Sequence, residues 1–265
     1  MNDTAMIDTP LAPPPGPTAP PPGGPPLGAP SPSVRTIWLV IGSLIASGML
    51  LFGTITVVDV LAHERTTEVT THEGVRALVI DSDDGTVLVR AGDVSVVTVT
   101  ARISEGLRAT GVSRSVDGDR LVLRSSCPNV GGTWCSVDWD VVVPVGTDVT
   151  LRSDGDRAEV AGELGAVDLR SEHGGVTFDG VARSVVAESE HGNVSVRLAE
   201  PPDTVRAISE HGNVTVVVPD IDDGYRVEAS TGEGRTEIGI RTDPNAARTI
   251  EARSEHGRVA VLPAP

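Results

Sequence analysis

From residue 149 onward the chain repeats itself roughly every 20 residues. Aligned on glycine, the copies read VTLRSDGDRAEV, VDLRSEHGGVTF, VVAESEHGNVSV, VRAISEHGNVTV, RVEASTGEGRTEI and IEARSEHGRVAV. A related segment, LVIDSDDGTVLV, stands at 78–89 around Gly85. The aligned glycines Gly155, Gly174, Gly192, Gly212, Gly232 and Gly257 are 19, 18, 20, 20 and 25 residues apart. A unit of this length cannot bury an apolar face alone and must stack on its neighbours.

Within each copy the apolar residues alternate. Val185, Ala187 and Ser189 lie on one parity and Val186, Glu188 and Glu190 on the other; Val205, Ala207 and Ser209 repeat the pattern, and it resumes after the glycine at Val194, Val196 and Leu198. Period two marks a strand with one buried face. Each copy therefore predicts a strand, a tight turn at E-H-G, a second strand, and a second turn marked by AEPPD (199–203) or PDIDDG (219–224). Parallel stacking of such units makes an all-β fold, a two-faced, right-handed parallel β-solenoid. The turn glycine is expected to take up a left-handed or similarly strained backbone, and the serine before it to face inward at a narrow corner. Residues 90–148 break the period and predict an N-terminal antiparallel excursion over the first units.

Composition agrees. Aromatic residues are 2% of the chain, so the core must come from Val, Leu, Ile and Ala. The formal net charge is -16, with no lysine. That balance repels nucleic acid and anionic headgroups, and neither is an expected partner.

Ahead of the repeats stand three shorter zones. Residues 1–34 are proline-rich and predict a disordered tail, since proline fixes φ and removes a donor. Residues 37–58, IWLVIGSLIASGMLLFGTITVV, carry no charge. As a helix they reach roughly 33 Å, enough for a hydrocarbon core of about 30 Å. A single transmembrane helix is expected over 35–61, too long for a cleaved signal, with a linker at 62–71 and the repeat domain at 72–265. Arg35 before the run and Arg65 and Arg76 after it leave the positive-inside rule nearly silent. The cysteines set the orientation. Cys127 and Cys135 flank a Gly-Gly turn in CPNVGGTWC, which suits a hairpin closed by a disulfide and hence an extracytoplasmic domain. A zinc or redox pair is the alternative, poorly served by two Cys without further ligands at metal spacing.

The S-x-x-G turns, together with the C-P…C segment running into VDWDVVVPVGTDVTL, resemble the bacterial "putative adhesin" domains over roughly residues 70–262. The resemblance implies a Val- and Gly-rich β-solenoid ectodomain, often behind one membrane span, displayed at the surface. It implies no catalytic residues. The SEHG form, with His before Gly, departs from that family.

Four of six histidines fall in SEHG. Stacked units would bring His173, His191 and His211 into one column about 4.8 Å apart, with Glu172, Glu190 and Glu210 beside it and His256 one unit removed beyond the STGEG copy. Repeat duplication at a turn accounts for such a column. So would a metal site using His173, His191, His211, Glu190 and Glu210, or a pH-responsive edge. No nucleophile with its base, phosphate loop or zinc signature is present, and DSDDG and DIDDG lack the full calcium-loop pattern. The expectation is therefore a non-enzymatic, cofactor-free surface-interaction module meeting a protein or cell-surface ligand, with a metal- or pH-responsive envelope protein as the alternative. Apolar or aromatic residues clustered on one outer face would favour the first, and converging imidazoles the second.

Overall fold

The computed structural model describes residues 32–61, 64–105, 110–127, 135–155 and 157–265. The expected disordered tail lies outside them, apart from its last residues, as does the loop 128–134. The chain divides into two units, Met1–Gly53 and Thr54–Pro265. Helix α1 runs over Pro32–Leu61, opening on a proline where a missing amide donor costs nothing. Among the described residues no helix is long and apolar enough to cross a membrane. The side chains of 52–61 are not among those described, so that statement does not cover the last seven residues of the 37–58 run.

The rest is β. In chain order the strands are β1 (Glu64–Glu73), β2 (Ala77–Ser82), β3 (Thr86–Gly92), β4 (Val96–Glu105), β5 (Gly111–Asp117), β6 (Arg120–Ser126), β7 (Cys135–Pro144), β8 (Asp148–Ser153), β9 (Arg157–Glu163), β10 (Ala166–Ser171), β11 (Gly175–Val181), β12 (Ser184–Ser189), β13 (Val194–Leu198), β14 (Thr204–Ser209), β15 (Val214–Val218), β16 (Arg226–Glu233), β17 (Thr236–Ile238), β18 (Thr249–His256) and β19 (Val259–Pro263). The expected linker 62–71 is therefore largely strand: β1 already begins at Glu64. Each repeat contributes one strand to each of two sheets, and equivalent strands pair in parallel. The order is β1-β4-β7-β3-β9-β11-β13-β15-β19-β17 in one sheet and β16-β18-β14-β12-β10-β8-β2-β6-β5 in the other.

Two exchanges separate this order from that of the sequence. The β6/β7 rung stacks outside β2/β3, and the chain then returns past β2/β3 to lay β8/β9 on its other side. At the far end the last rung, β18/β19, inserts between β14/β15 and β16/β17. Only part of the expected excursion is antiparallel. β4 pairs antiparallel with β1 and β7, and β5 with β6; β6 and β7 also run parallel to the stack, because RLVLRSS has the parity of a repeat strand and carries the same serine at Ser125.

That serine is the anchor of the register. Ser125, Ser82, Ser153, Ser171, Ser189, Ser209 and Ser254 form one column, continued by Thr231, and all seven serines are buried. Their hydroxyls link the rungs. Gly192 N–H donates to Ser189 Oγ (2.8 Å), which donates to the Gly174 carbonyl of the preceding rung (2.9 Å). Ser209 and Ser254 donate likewise to the carbonyls of Gly192 and Gly212, each at 2.8 Å. Each buried hydroxyl thus finds a donor or acceptor partner, as a buried polar group must.

The expectation of left-handed turn glycines needs correcting. Gly174, Gly192, Gly212 and Gly257 have no positive φ; Gly85 and Gly234 do. What excludes a side chain is the neighbouring backbone: a Cβ on Gly192 would overlap the Gly174 carbonyl, and one on Gly212 the Gly192 carbonyl. The glycine alignment also slips. Ser153 and Arg157 pair with Ser171 and Gly175, which places Gly155 opposite His173, and Glu233 pairs with His256, so that Gly234, not Gly232, matches Gly257.

One core lies between the sheets, built of alternating Val, Leu, Ile and Ala, with Trp139, Phe178 and Tyr225 as its largest members. Burial of each Val or Leu stabilises by about 1.5–3 kcal/mol. Both ends break the pattern, with antiparallel β1 and β5 at one and the three-residue β17 beside β16 at the other. Such strands blunt an edge that would otherwise recruit another chain.

Candidate functional site

Each S-E-H-G turn sends Ser inward and the next two residues outward. Backbone bonds carry the register around the corner: Glu190 N–H donates to Ser171 O (3.1 Å), His191 N–H to Glu172 O (2.9 Å), His211 N–H to Glu190 O (2.8 Å) and His256 N–H to Glu210 O (2.9 Å). Equivalent side chains are therefore held one rung apart. His173, His191, His211 and His256 form a continuous ladder of stacked rings, with centroids 5.4, 5.1 and 5.0 Å apart and interplanar angles of 9°, 4° and 3°. All four are exposed. His256 is not one rung removed as the sequence order suggests. The exchange of the last two rungs lays it directly on His211, with Glu233 at the equivalent position one rung further out.

Beside the imidazoles runs an acidic column: Asp83, Asp154, Glu172, Glu190, Glu210 and Glu255, each following a column serine. Asp154 feels it. Partial burial, then the carboxylates of Glu172, Asp83 and Asp81, raise its pKa, against a lowering by His173. A carboxyl whose folded pKa is raised is penalised when ionised, so the penalty is full above the folded pKa and absent below the unfolded value near 3.8. Asp154→Asn is therefore expected to stabilise the protein at pH 7 by roughly a few tenths of a kcal/mol, the size left to an exposed like-charge contact after solvent screening. Urea titrations at pH 7 and pH 3 should show the gain at the first and not at the second.

Inward of that edge, the outer face of the second sheet carries an alternating ion chain. Arg170 bridges Asp168 (3.0 Å) and Glu188 (3.1 Å), Arg206 bridges Glu188 (2.9 Å) and Glu251 (2.6 Å), and Arg253 bridges Glu251 (3.2 Å) and Glu228 (3.4 Å). A groove between chain and edge is lined by Arg152, Asp154, Arg170, Glu172, Glu190 and Glu210 among others. Two asparagines extend the order past the turn, with Asn213 N–H donating to Asn193 Oδ1 (2.8 Å) and Arg258 N–H to Asn213 Oδ1 (2.9 Å).

The metal candidates His173, His191, His211, Glu190 and Glu210 thus share one edge. They do not converge. Among the described residues no group of three or more His, Cys, Asp or Glu is arranged to hold a metal ion, and in-plane lone pairs of parallel rings run side by side. Cys127 and Cys135 form a disulfide, with Cα atoms 5.7 Å apart, that ties the residue following β6 to the first residue of β7. Sequence reasoning missed His256 in the ladder and the asparagine pair, although Asn follows Gly in both SEHGN copies. Among the described residues of the second unit the outer-face test comes out negative: Val69, Val94, Val116, Val145 and Ile238 are exposed only on end strands or connecting loops, and Trp139, Phe178 and Tyr225 are buried.

No family model matches the sequence, and no curated protein matches it. Among solved structures the chain is similar to a "putative cell adhesion protein" from Clostridium sporogenes, at 11% identity over 76% of this chain and 100% of that one, with a TM-score of 0.41. It is similar to a "putative adhesin" from Bacteroides fragilis, at 14% identity over 76% and 97%, TM-score 0.43. A third likeness is to a "putative adhesin" from Parabacteroides merdae, at 9% identity over 76% and 97%, TM-score 0.33. The last two share the designation of the family that the sequence resembles. Likenesses of this size carry no argument about activity or partner.

Proposed function

We propose that the chain is a single-pass membrane protein that displays a β-solenoid outside the cytoplasm as a binding module, not an enzyme. The observation that carries the display reading is helix α1. Ile37, Trp38, Leu39, Val40 and Ile41 are consecutive and all exposed, as are Leu44, Ile45 and Leu50. A helix apolar on every face needs an apolar surround, and lipid around the charge-free 37–58 run supplies one. The disulfide suits an oxidising compartment.

The binding reading rests on the blunted ends. They leave the lateral faces, patterned rung by rung, as the repeated surface a partner can meet. With every described aromatic of the second unit buried, recognition there is by charge and hydrogen bonding, and the acidic edge favours a partner that brings donors or cations.

Protease added to intact cells expressing the full chain should remove a tag placed after Pro265 and leave a cytoplasmic control untouched. Protection of the tag overturns the orientation. Photo-crosslinking residues at Glu190 and Ser195 should capture an envelope partner, and one at Ile238, on the terminal strand β17 with the parity of buried Val261, should not; crosslinks from Ile238 alone overturn the lateral reading.

A further inference from the structure

We infer that the turn edge binds divalent transition-metal ions in pairs of imidazoles, one ion between His173 and His191 and a second between His211 and His256. The inference is independent of whichever partner the lateral faces meet, and it goes beyond the display reading.

The rings are prepared for it. His173 Nδ1 lies 3.3 Å from the Asp154 carbonyl and His191 Nδ1 3.3 Å from the Glu172 carbonyl. A carbonyl can only accept, so in the neutral ring Nδ1 holds the proton and Nε2 is left bare. A backbone carbonyl on the far nitrogen is the usual brace of a metal-bound imidazole. His211 and His256 lie within 4° and 3° of the plane of the preceding ring, so the rings of the ladder are parallel throughout.

Distance then sets the number of ions. Metal–nitrogen bonds of about 2.0–2.1 Å require the two nitrogens to lie within about 4.2 Å of each other. Neighbouring rings are 5.0–5.4 Å apart, and exposed side chains on a turn can tilt to close that gap. Rings two rungs apart cannot. A nitrogen committed to one ion is lost to the next, so four rings in a line hold two ions. Glu233, opposite His256 on the outermost rung, offers an oxygen to the second ion; Gly155, opposite His173, offers nothing to the first.

Two imidazoles make an open site completed by water, consistent with the lack of a converging group of three. Imidazole ligation selects Cu²⁺, Ni²⁺ and Zn²⁺ over Mg²⁺ and Ca²⁺, with Cu²⁺ the tightest. The acidic column and the net charge of -16 raise the local cation concentration.

The test compares two double variants of the full-length protein in detergent micelles, each keeping two ladder histidines. His173→Asn/His256→Asn leaves His191 and His211 adjacent. His191→Asn/His211→Asn leaves only His173 and His256, three rungs apart. His63 and His72 are present in both and cancel. Calorimetric titration with CuCl2 and with NiCl2 should give two ions for the parent and one for the first variant. The second variant should bind on the order of 10²-fold more weakly, the loss expected when two linked ligands become one. Copper EPR should show two coupled nitrogens per ion in the parent and in the first variant. Thermal melts without metal should coincide for all three proteins, since the rings are exposed. Equal titrations of the two variants, or a parent that binds no ion through two nitrogens, would overturn the inference. The protease result above bears only on display, so the two can fail separately.

Discussion

One residue inserted after Val186 is expected to unfold the domain, whereas removing the 20 residues Ser189–Ile208 is expected to leave it folded. β12 is paired on both sides, with β10 and with β14. It buries Val185, Ala187 and Ser189 and turns Glu188 outward. An insertion moves part of this set to the opposite face. With Val185 kept buried, Ala187 and Ser189 turn outward and Glu188 turns into the core, which costs several kcal/mol in desolvation unless it neutralises. The deletion behaves differently because Ser209 is the register partner of Ser189. Glu188 rejoined to Ser209 continues the same strand into an equivalent turn, and the stack is shorter by one rung. Its stability falls by one unit's nearest-neighbour terms. Circular dichroism melts distinguish the two, and a folded insertion beside an unfolded deletion would refute the stacking account.

The second large effect is expected at Trp139. The indole is 1% exposed, and its Nε1–H donates to Ser125 Oγ at 3.3 Å. The Arg114 guanidinium sits 5.7 Å from its ring and pairs with Glu68 at 2.8 Å. Trp139→Ala removes the largest side chain of the core and should cost about 3–5 kcal/mol. It also strips a half-buried cation of its aromatic neighbour. Trp139→Phe keeps most of the volume and loses the indole hydrogen bond, at about 1 kcal/mol. Guanidinium titrations should therefore rank parent, Phe and Ala in that order with unequal gaps. A Trp139→Ala midpoint within error of the parent would place the core elsewhere.

Much of this architecture is legible in the sequence, because parity is a local signal. Val167, Leu169 and Ser171, and their counterparts in later copies, announce a strand with one buried face. The inward serine is legible too, and it proved a better anchor than glycine: a buried hydroxyl bonded to two rungs cannot move, whereas the glycine can slip one place along the turn, as Gly155 does against Gly174. The order of the rungs is not legible. A repeat shows that copies can stack, and every copy presents nearly the same faces. Which copies become neighbours depends on connections such as 239–248, which let β18/β19 reach β14/β15. The same exchange hid the fourth member of the histidine ladder. Its first three members follow from the period alone; His256 requires knowing that the STGEG copy lies outside it.

That exchange also governs the order in which the domain can be completed. β16 pairs only with β18, and β17 only with β19, so residues 226–238 have no strand partner until 249–263 have docked. During synthesis the atypical copy emerges first and must wait for residues 249–263. Those residues fill a slot between two segments already made, a long-range closure of the kind that slows folding. A nascent or clipped chain ending before Thr249 would leave two rungs unformed and the β14 and β15 edges open. The β18/β19 rung therefore acts as a keystone, and its docking is the step that joins β16/β17 to the rest of the stack.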